Sequence, residues 1–143
     1  MMVLRKEVLV TVRGTQTNDL GERETIELIT KANYYQKNSS YYIIYNESEI
    51  SGMEGTTTSL KAEPSRVTLN RMGTAEVKQV FEEGIHNEGN YVTPYGAMWI
   101  RVLPWKVEVD LTEMGGSINL EYELELCRQK IGYNELSITV QEV

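Results

Sequence analysis

The sequence predicts an all-β protein folded as a single antiparallel, up-and-down β-barrel. Three observations carry this. From Ile118 to Leu126 apolar and polar residues alternate without a break, a spelling that only a β-strand turns into one dry face and one wet face. Apolar, β-branched and aromatic runs recur at roughly ten-residue spacing along the chain, divided by Gly, Pro, Asn, Asp and Ser. No stretch of helical length carries a 3.6-residue period.

In chain order, Val8, Val10 and Val12 share one face of a first strand, and Asn18-Asp19-Leu20-Gly21 supplies turn chemistry. Ile26 and Leu28 mark a second strand that ends near Lys37-Asn38-Ser39-Ser40, and Tyr41 to Glu49 reads as a third. Thr56 to Leu60 is a fourth strand, turning at Glu63-Pro64-Ser65. Val67, Leu69 and Arg71 line one face of a fifth, closed by Gly73. Val77 to Phe81 is a sixth, and Gly84 to Asn90 reads as a polar loop. Tyr91 to Tyr95 runs into Pro94 and Gly96, and Ala97 to Leu103 continues as another strand. Pro104 cannot donate to a ladder, so an edge, bulge or bend is expected before Trp105. Val107, Val109 and Leu111 face one way in the next strand, Gly115-Gly116 is read as a hairpin turn, and Leu136, Ile138 and Val140 form the last strand. A meander of single-faced strands that closes on itself removes its exposed edges, which favours a barrel over a sandwich. About eight strands are expected, in one domain spanning residues 1–143.

Composition narrows the function classes. No apolar run approaches the ~20 residues of a membrane helix, and the Met-Met-Val-Leu-Arg-Lys-Glu start moves into charge where a signal peptide needs an apolar stretch. The single cysteine, Cys127, excludes an internal disulfide and suits a reducing compartment, so the expectation is a cytoplasmic protein. A net charge of −7 disfavours nucleic acid. From Val107 to Val143 eight Asp/Glu meet only Arg128 and Lys130, which places −6 of that charge in the C-terminal quarter.

Several local spellings form a recognisable series. They are Tyr41-Tyr42-Ile43-Ile44-Tyr45-Asn46-Glu47, Gly55-Thr56-Thr57-Thr58, Val67-Thr68-Leu69-Asn70-Arg71-Met72-Gly73, Phe81-Glu82-Glu83-Gly84, Tyr91-Val92-Thr93-Pro94-Tyr95-Gly96 and Gly116-Ser117-Ile118-Asn119-Leu120-Glu121-Tyr122. In this order and spacing, over almost the whole chain, the sequence resembles the YwiB-like family of small bacterial proteins. The resemblance implies a lipocalin-like (calycin-type) β-barrel and carries no activity with it. Leu103-Pro104-Trp105 departs from the plainer strand expected there.

Groups that could carry chemistry are few. His86 is the only histidine and sits in a polar loop, where neither a triad nor a metal site finds partners. Cys127 falls in phase with Glu121, Glu123 and Glu125, so it should face outward, with no neighbouring base to stabilise a thiolate. No catalytic residue, metal ligand or cofactor is expected, and the protein reads as a non-enzyme. Arg71 is different. It shares its face with Val67 and Leu69, and an unpaired buried guanidinium is costly, so it needs an anionic or carbonyl partner. Glu47, in phase with Tyr41, Ile43 and Tyr45, is the candidate. Arg71 either sits half-solvated at the barrel rim or is bonded to a turn carbonyl after Gly73, or else it binds an anion at a pocket mouth lined by Tyr45 and Tyr122. The Thr56–Thr58 run between them reflects β-propensity or lines a semi-polar cavity with hydroxyls. Tyr91, Thr93 and Tyr95 share a face and could flank an opening.

Two functions follow. One is a barrel holding a small, partly apolar or anionic ligand at Arg71, Tyr45, Glu47 and Tyr122, with Tyr45, Tyr122 and Trp99 or Trp105 available to fill the middle. The other is an interaction module whose acidic outer face meets a basic protein partner. A Gly115-Gly116 turn would set Leu111 opposite Leu120, Asp110 opposite Glu121 and Glu108 opposite Glu123. Such an acidic ladder repels itself, raises its own carboxylate pKa values and makes Glu121→Lys stabilising, with water, salt and a neighbouring Arg101 or Lys106 available to screen it.

Overall fold

The computed structural model describes residues 5–143. Its strands are β1 (Lys6–Thr17), β2 (Arg23–Lys37), β3 (Ser40–Asn46), β4 (Thr56–Glu63), β5 (Arg66–Gly73), β6 (Val77–Glu82), β7 (Asn87–Thr93), β8 (Gly96–Thr112), β9 (Gly115–Leu126) and β10 (Gln129–Glu142). Their order in the sheet is β6-β5-β4-β3-β2-β1-β10-β9-β8-β7, with every neighbouring pair antiparallel. This is an up-and-down meander in which β1 and β10 join the two chain ends, and β6 approaches β7 to close the barrel. Ten strands are formed, and the separate strands expected over Ala97–Leu103 and from Val107 to Leu111 are one continuous β8. The polar stretch read as a loop from Gly84 to Asn90 is a turn only as far as His86; from Asn87 it is β7, whose inward positions Asn87 and Gly89 carry no apolar signal. The third strand stops at Asn46 rather than Glu49, because Ser48 caps a 3-10 turn over Glu49–Ser51 by accepting the Ile50 N–H at 3.2 Å.

β1, β2, β8, β9 and β10 are 12 to 17 residues long, whereas β3 to β7 have 6 to 8. β2 pairs with β3 only over Asn33–Lys37, so its first ten residues rise clear of that neighbour. β2 therefore overhangs β3 at the end that carries the Asn18–Glu22, Pro94–Tyr95 and Cys127–Arg128 turns, whereas β7 pairs only with Gly96–Val102, so that β8 overhangs it at the opposite end. The first end is open along the β2 flank, where residues 23–27 are exposed, and a cleft of about 470 Å³ between Tyr34, Gln36, Tyr41 and Glu113 lies at the other end.

β8 keeps one apolar face through a bulge. Ile100, Val102 and Pro104 point inward from even positions, Val107, Val109 and Leu111 from odd ones, and the β8–β9 register slips between Pro104 and Lys106. Trp105 is the inserted residue and stands 60% exposed, while Trp99 points outward beneath the Arg128 guanidinium, 5.6 Å from its ring centre. Neither tryptophan fills the interior; Phe81 and Tyr122 do, edge to face at 4.9 Å. A bulge frees backbone groups, and the β6–β7 turn takes them up. The Gly84 N–H donates to the Pro104 carbonyl at 2.9 Å, and the Val107 N–H donates to the Glu83 carboxylate at 3.0 Å.

The expected Gly115-Gly116 turn is not formed. Glu113 and Met114 make the turn, and the two glycines open β9. Their φ values are 125° and 139°, and a Cβ on Gly116 would run into the Asp110 carbonyl oxygen. Close backbone approach within the sheet is what requires glycine here, so the residues that look like a turn belong to a strand. The register moves accordingly, with Leu111 opposite Gly116, Val109 opposite Ile118 and Val107 opposite Leu120. Asp110 then faces Ser117 and Glu108 faces Asn119, and the acidic ladder does not exist. Cys127 is exposed, as its phase indicated, but sits in the β9–β10 turn, where it and Arg128 have φ of 51° and 67°.

The bulge account predicts that Glu83→Ala lowers stability by about 1–2 kcal/mol in urea unfolding, because it strands the Val107 N–H. Glu83→Gln, which keeps an acceptor, should recover most of the loss.

Candidate functional site

Sheet register builds a polar group on the inner wall. Tyr45 of β3 lies directly opposite Thr58 of β4, and Thr58 lies opposite Arg71 of β5, so the three occupy one layer across three strands. Glu47, two residues beyond Tyr45 in the same phase, leaves β3 and points back into this layer. Its side chain is 3% exposed and that of Arg71 18%, with Arg71 Nε 3.7 Å from Glu47 Oε2. Thr58 donates a short hydrogen bond to Oε2, and the Ser51 hydroxyl donates to Oε1 at 2.9 Å. Thr56, also buried, accepts the Ala75 N–H at 3.0 Å and fixes the β5–β6 corner.

The carboxylate is thus satisfied by two hydroxyls, and the arginine is not satisfied by the carboxylate. Arg71 Nε is buried without a hydrogen-bond partner, and 3.7 Å is too long for a hydrogen bond. Burial and the Glu47 charge hold the Tyr45 hydroxyl well above its usual pKa, partly offset by Arg71. Burial likewise raises Tyr122, and Arg71 again pulls the other way. One cation therefore sits among two neutral phenols and a carboxylate committed elsewhere.

Two clefts lie at the open end; Tyr122 borders the first, and Arg71, Glu47 and Tyr45 line neither. The first, about 260 Å³, is bounded by Gly14, Ile26, Tyr122, Asn134 and Leu136 on the long strands. The second, about 490 Å³, is bounded by Tyr91, Met98, Ile100, Leu124 and Leu126, with Thr93 and Tyr95 at its lip. Tyr122, Leu124 and Leu126 succeed one another on the inner face of β9, linking the polar group to the second cleft. Arg71 also pairs with Val77 on β6, next to the strand that carries Tyr91. At ~4.8 Å per strand the Arg71 and Tyr91 backbones are roughly 10 Å apart.

The structure therefore gathers Tyr45, Glu47, Arg71 and Tyr122 in one region, with Thr58 as the hydroxyl between them and Tyr91, Thr93 and Tyr95 beside an opening. Ser51, Leu124, Leu126, Ile26 and Leu136 were not anticipated there. The last four look like ordinary core positions in sequence, and Ile26 is uncovered where β2 stands clear of β3. His86 is exposed in the β6–β7 turn. Among the described residues no group of three or more His, Cys, Asp or Glu could hold a metal ion.

On the outer face Glu108, Glu121, Glu123 and Glu125 each meet a cation, whereas Asp110 and Glu135 meet none among the described residues, and Glu135 stands directly opposite Glu121. Lys106 reaches Glu108 at 3.1 Å and Glu121 at 3.4 Å, Lys130 reaches Glu123 at 3.5 Å, and Arg101 lies 3.9 Å from Glu125. Glu121 also accepts a short hydrogen bond from Tyr133. The Tyr133 bond first, and Lys106 second, hold the Glu121 carboxyl below its usual pKa, the reverse of the rise that an acidic ladder would impose. Burial and the same bond push the Tyr133 phenol up from 10.0 to about 12.

Two outcomes follow from this geometry. Thr58→Val removes a donor to a buried carboxylate with little change of shape, and should lower stability by about 1.5–3 kcal/mol in chemical denaturation. A depressed carboxylate contributes above the ordinary carboxylate range and loses that contribution as pH falls; a raised phenol contributes below pH 10 and loses it as pH climbs towards about 12. The melting-temperature difference between the protein and Tyr133→Phe should therefore be largest at neutral pH and shrink at both extremes. Glu121→Lys should lower the melting temperature at low salt, not raise it.

Comparison with known proteins agrees with this architecture. The chain is 25% identical over 139 residues to the uncharacterized beta-barrel protein YwiB of Bacillus subtilis (strain 168), covering 96% of each protein. A crystal structure of the ywiB protein from Bacillus subtilis superimposes with a TM-score of 0.86 at 22% identity, covering 97% of this chain and 93% of that one, which shows a shared fold. A family profile described as a domain of unknown function, DUF1934, matches residues 10–138. That match runs from the first strand to the last, and the chain belongs to this YwiB-like DUF1934 family.

Proposed function

We propose that this protein is a non-enzymatic binding barrel that takes a small, partly apolar molecule with an acceptor or anionic group into its open end. The observation that carries the reading is Arg71, a cation held inside the barrel wall with a buried donor lacking any hydrogen-bond partner. An unmade buried bond is a standing free-energy cost, and a ligand carboxylate, sulfonate or carbonyl removes it. Glu47 does not compete for that role, since Thr58 and Ser51 already bond both of its oxygens. The apolar wall from Tyr122 to Leu126 and the Tyr91 cleft suit the remainder of such a molecule. A lipocalin-like mode of use, with the ligand entering one end of the barrel, fits the β2 overhang and the clefts at that end.

The acidic-face reading has less support. Its central residues Glu121, Glu123 and Glu125 each have a cation within 4 Å, although Glu121 shares Lys106 with Glu108. The exposed free thiol of Cys127 favours a cytoplasmic setting. No helix among the described residues is long and apolar enough to cross a membrane.

Anilinonaphthalene sulfonate, a sulfonate on an aromatic body, is a suitable probe. It should bind with saturable fluorescence enhancement, and Arg71→Gln should weaken it roughly tenfold, about 1.4 kcal/mol, while the far-ultraviolet circular dichroism stays unchanged. Equal affinity in the variant, or no saturable binding, would refute the proposal. Native mass spectrometry of freshly purified protein should show a co-purified adduct that Arg71→Gln loses.

A further inference from the structure

The barrel closes along one seam, between β6 and β7, and the two contacts that close it are in different registers. At the open end Glu76 and Val92 exchange both backbone hydrogen bonds, each at 2.8 Å. At the other end the Glu83-Gly84 turn sets Glu82 opposite Ile85, with the Ile85 N–H donating to the Glu82 carbonyl at 3.1 Å. Counting along both strands from that turn brings Glu76 opposite Tyr91, one residue short of the observed Val92. No backbone pair is formed between the two ends. Midway, the Val80 N–H bonds to the side-chain oxygen of Asn87 at 3.0 Å in place of a carbonyl.

The slip is imposed by the faces of the strands. Val77, Gln79 and Phe81 point inward on β6, and Gly89, Tyr91 and Thr93 must do so on β7. A two-residue turn carried through in register would instead turn the even-numbered residues of β7 inward. The local turn and the global barrel therefore demand incompatible registers, and the seam is left with the fewest ladder bonds of any strand junction. The segment it releases is already loosely held on its other flank. β8 pairs with β9 only from Ile100 onward, and a single bond, Cys127 N–H to the Trp99 carbonyl at 2.9 Å, ties the stretch before it. The tip of the β7–β8 hairpin carries Tyr91, Thr93, Tyr95 and Met98, which wall the larger cleft. Val77 on the opposite bank is the partner of Arg71.

We propose that the β6–β7 seam is the portal of this barrel. The β7–β8 tip parts from β6 at the Glu76–Val92 bridge, uncovers the Arg71 layer and the Tyr91 cleft together, and closes over the occupant. The portal role rests on the binding reading above; the opening itself does not.

Two measurements separate them. In native-state hydrogen exchange, the bridged amides of Glu76 and Val92 should exchange at least about a hundredfold faster than those of Val10 and Ile138 in the β1–β10 ladder. Exchange of all four at one rate would mean that the seam opens only on global unfolding, and would overturn the proposal whatever binds. Second, Glu76→Cys with Val92→Cys, in a Cys127→Ser background, places a disulfide across a directly paired position. Oxidation should slow association of anilinonaphthalene sulfonate by about tenfold or more and reduction should restore it, with the equilibrium affinity little changed. An unchanged rate with binding still dependent on Arg71 would sink the portal and leave the binding reading intact. Absence of any Arg71-dependent binding would sink that reading and the portal role with it, leaving only the opening to the exchange result.

Discussion

A carboxylate almost wholly removed from water must be met by donors, and the Glu47 carboxylate organises the region around it. Thr58 and Ser51 supply those donors from either side of the β3–β4 connection, which explains a buried threonine in the middle of β4 and a 3-10 turn where β3 ends. Arg71 balances the charge from 3.7 Å without completing a hydrogen bond. A buried ion pair of this kind stabilises little by itself, because desolvation offsets most of the Coulomb attraction. What it does is place a cation, with donors free, at one depth of the barrel. The larger cleft is walled mainly by apolar side chains, and Tyr122 is the one member of this layer that borders either cleft, the smaller one.

The same economy of partners runs through the shell. Glu83 and Gly84 answer the backbone groups released by the Trp105 bulge, and Asn87 answers Val80 where the seam fails to pair. Both devices lie at the β6–β7 turn, where the barrel has to reconcile its strand count with its curvature. The bulge keeps β8 single-faced over 17 residues, and the seam absorbs the remaining mismatch.

Much of this was legible in the sequence, for a definite reason. Side-chain alternation reports the face of each residue, so the inner positions of β1, β4, β5, β6, β9 and β10 could be read, and with them the odd arginine beside Val67 and Leu69. The Pro104 bulge was legible because proline lacks a ladder donor. Register was not. Gly115-Gly116 has the composition of a hairpin turn, but its glycines answer to the Asp110 and Val140 carbonyls of neighbouring strands, which no local pattern encodes. The first half of β7 was hidden because its inner positions are Asn87 and Gly89, whereas Tyr91 and Thr93 were read on one face. At the site, Arg71, Glu47, Tyr45 and Tyr122 stood out by phase. Ser51 did not, because it acts from a turn, and Leu124 and Leu126 look like ordinary core positions.

The central claim is that Glu47 and Arg71 act on one another inside the barrel wall. A double-mutant cycle with Glu47→Gln and Arg71→Gln, read by urea unfolding, tests it most directly. Mutual charge compensation predicts a coupling free energy of about 1–3 kcal/mol, with the double variant more stable than the two single losses together imply. Additivity within about 0.5 kcal/mol would contradict the account, since it would show the two groups to be independent tenants of the same barrel.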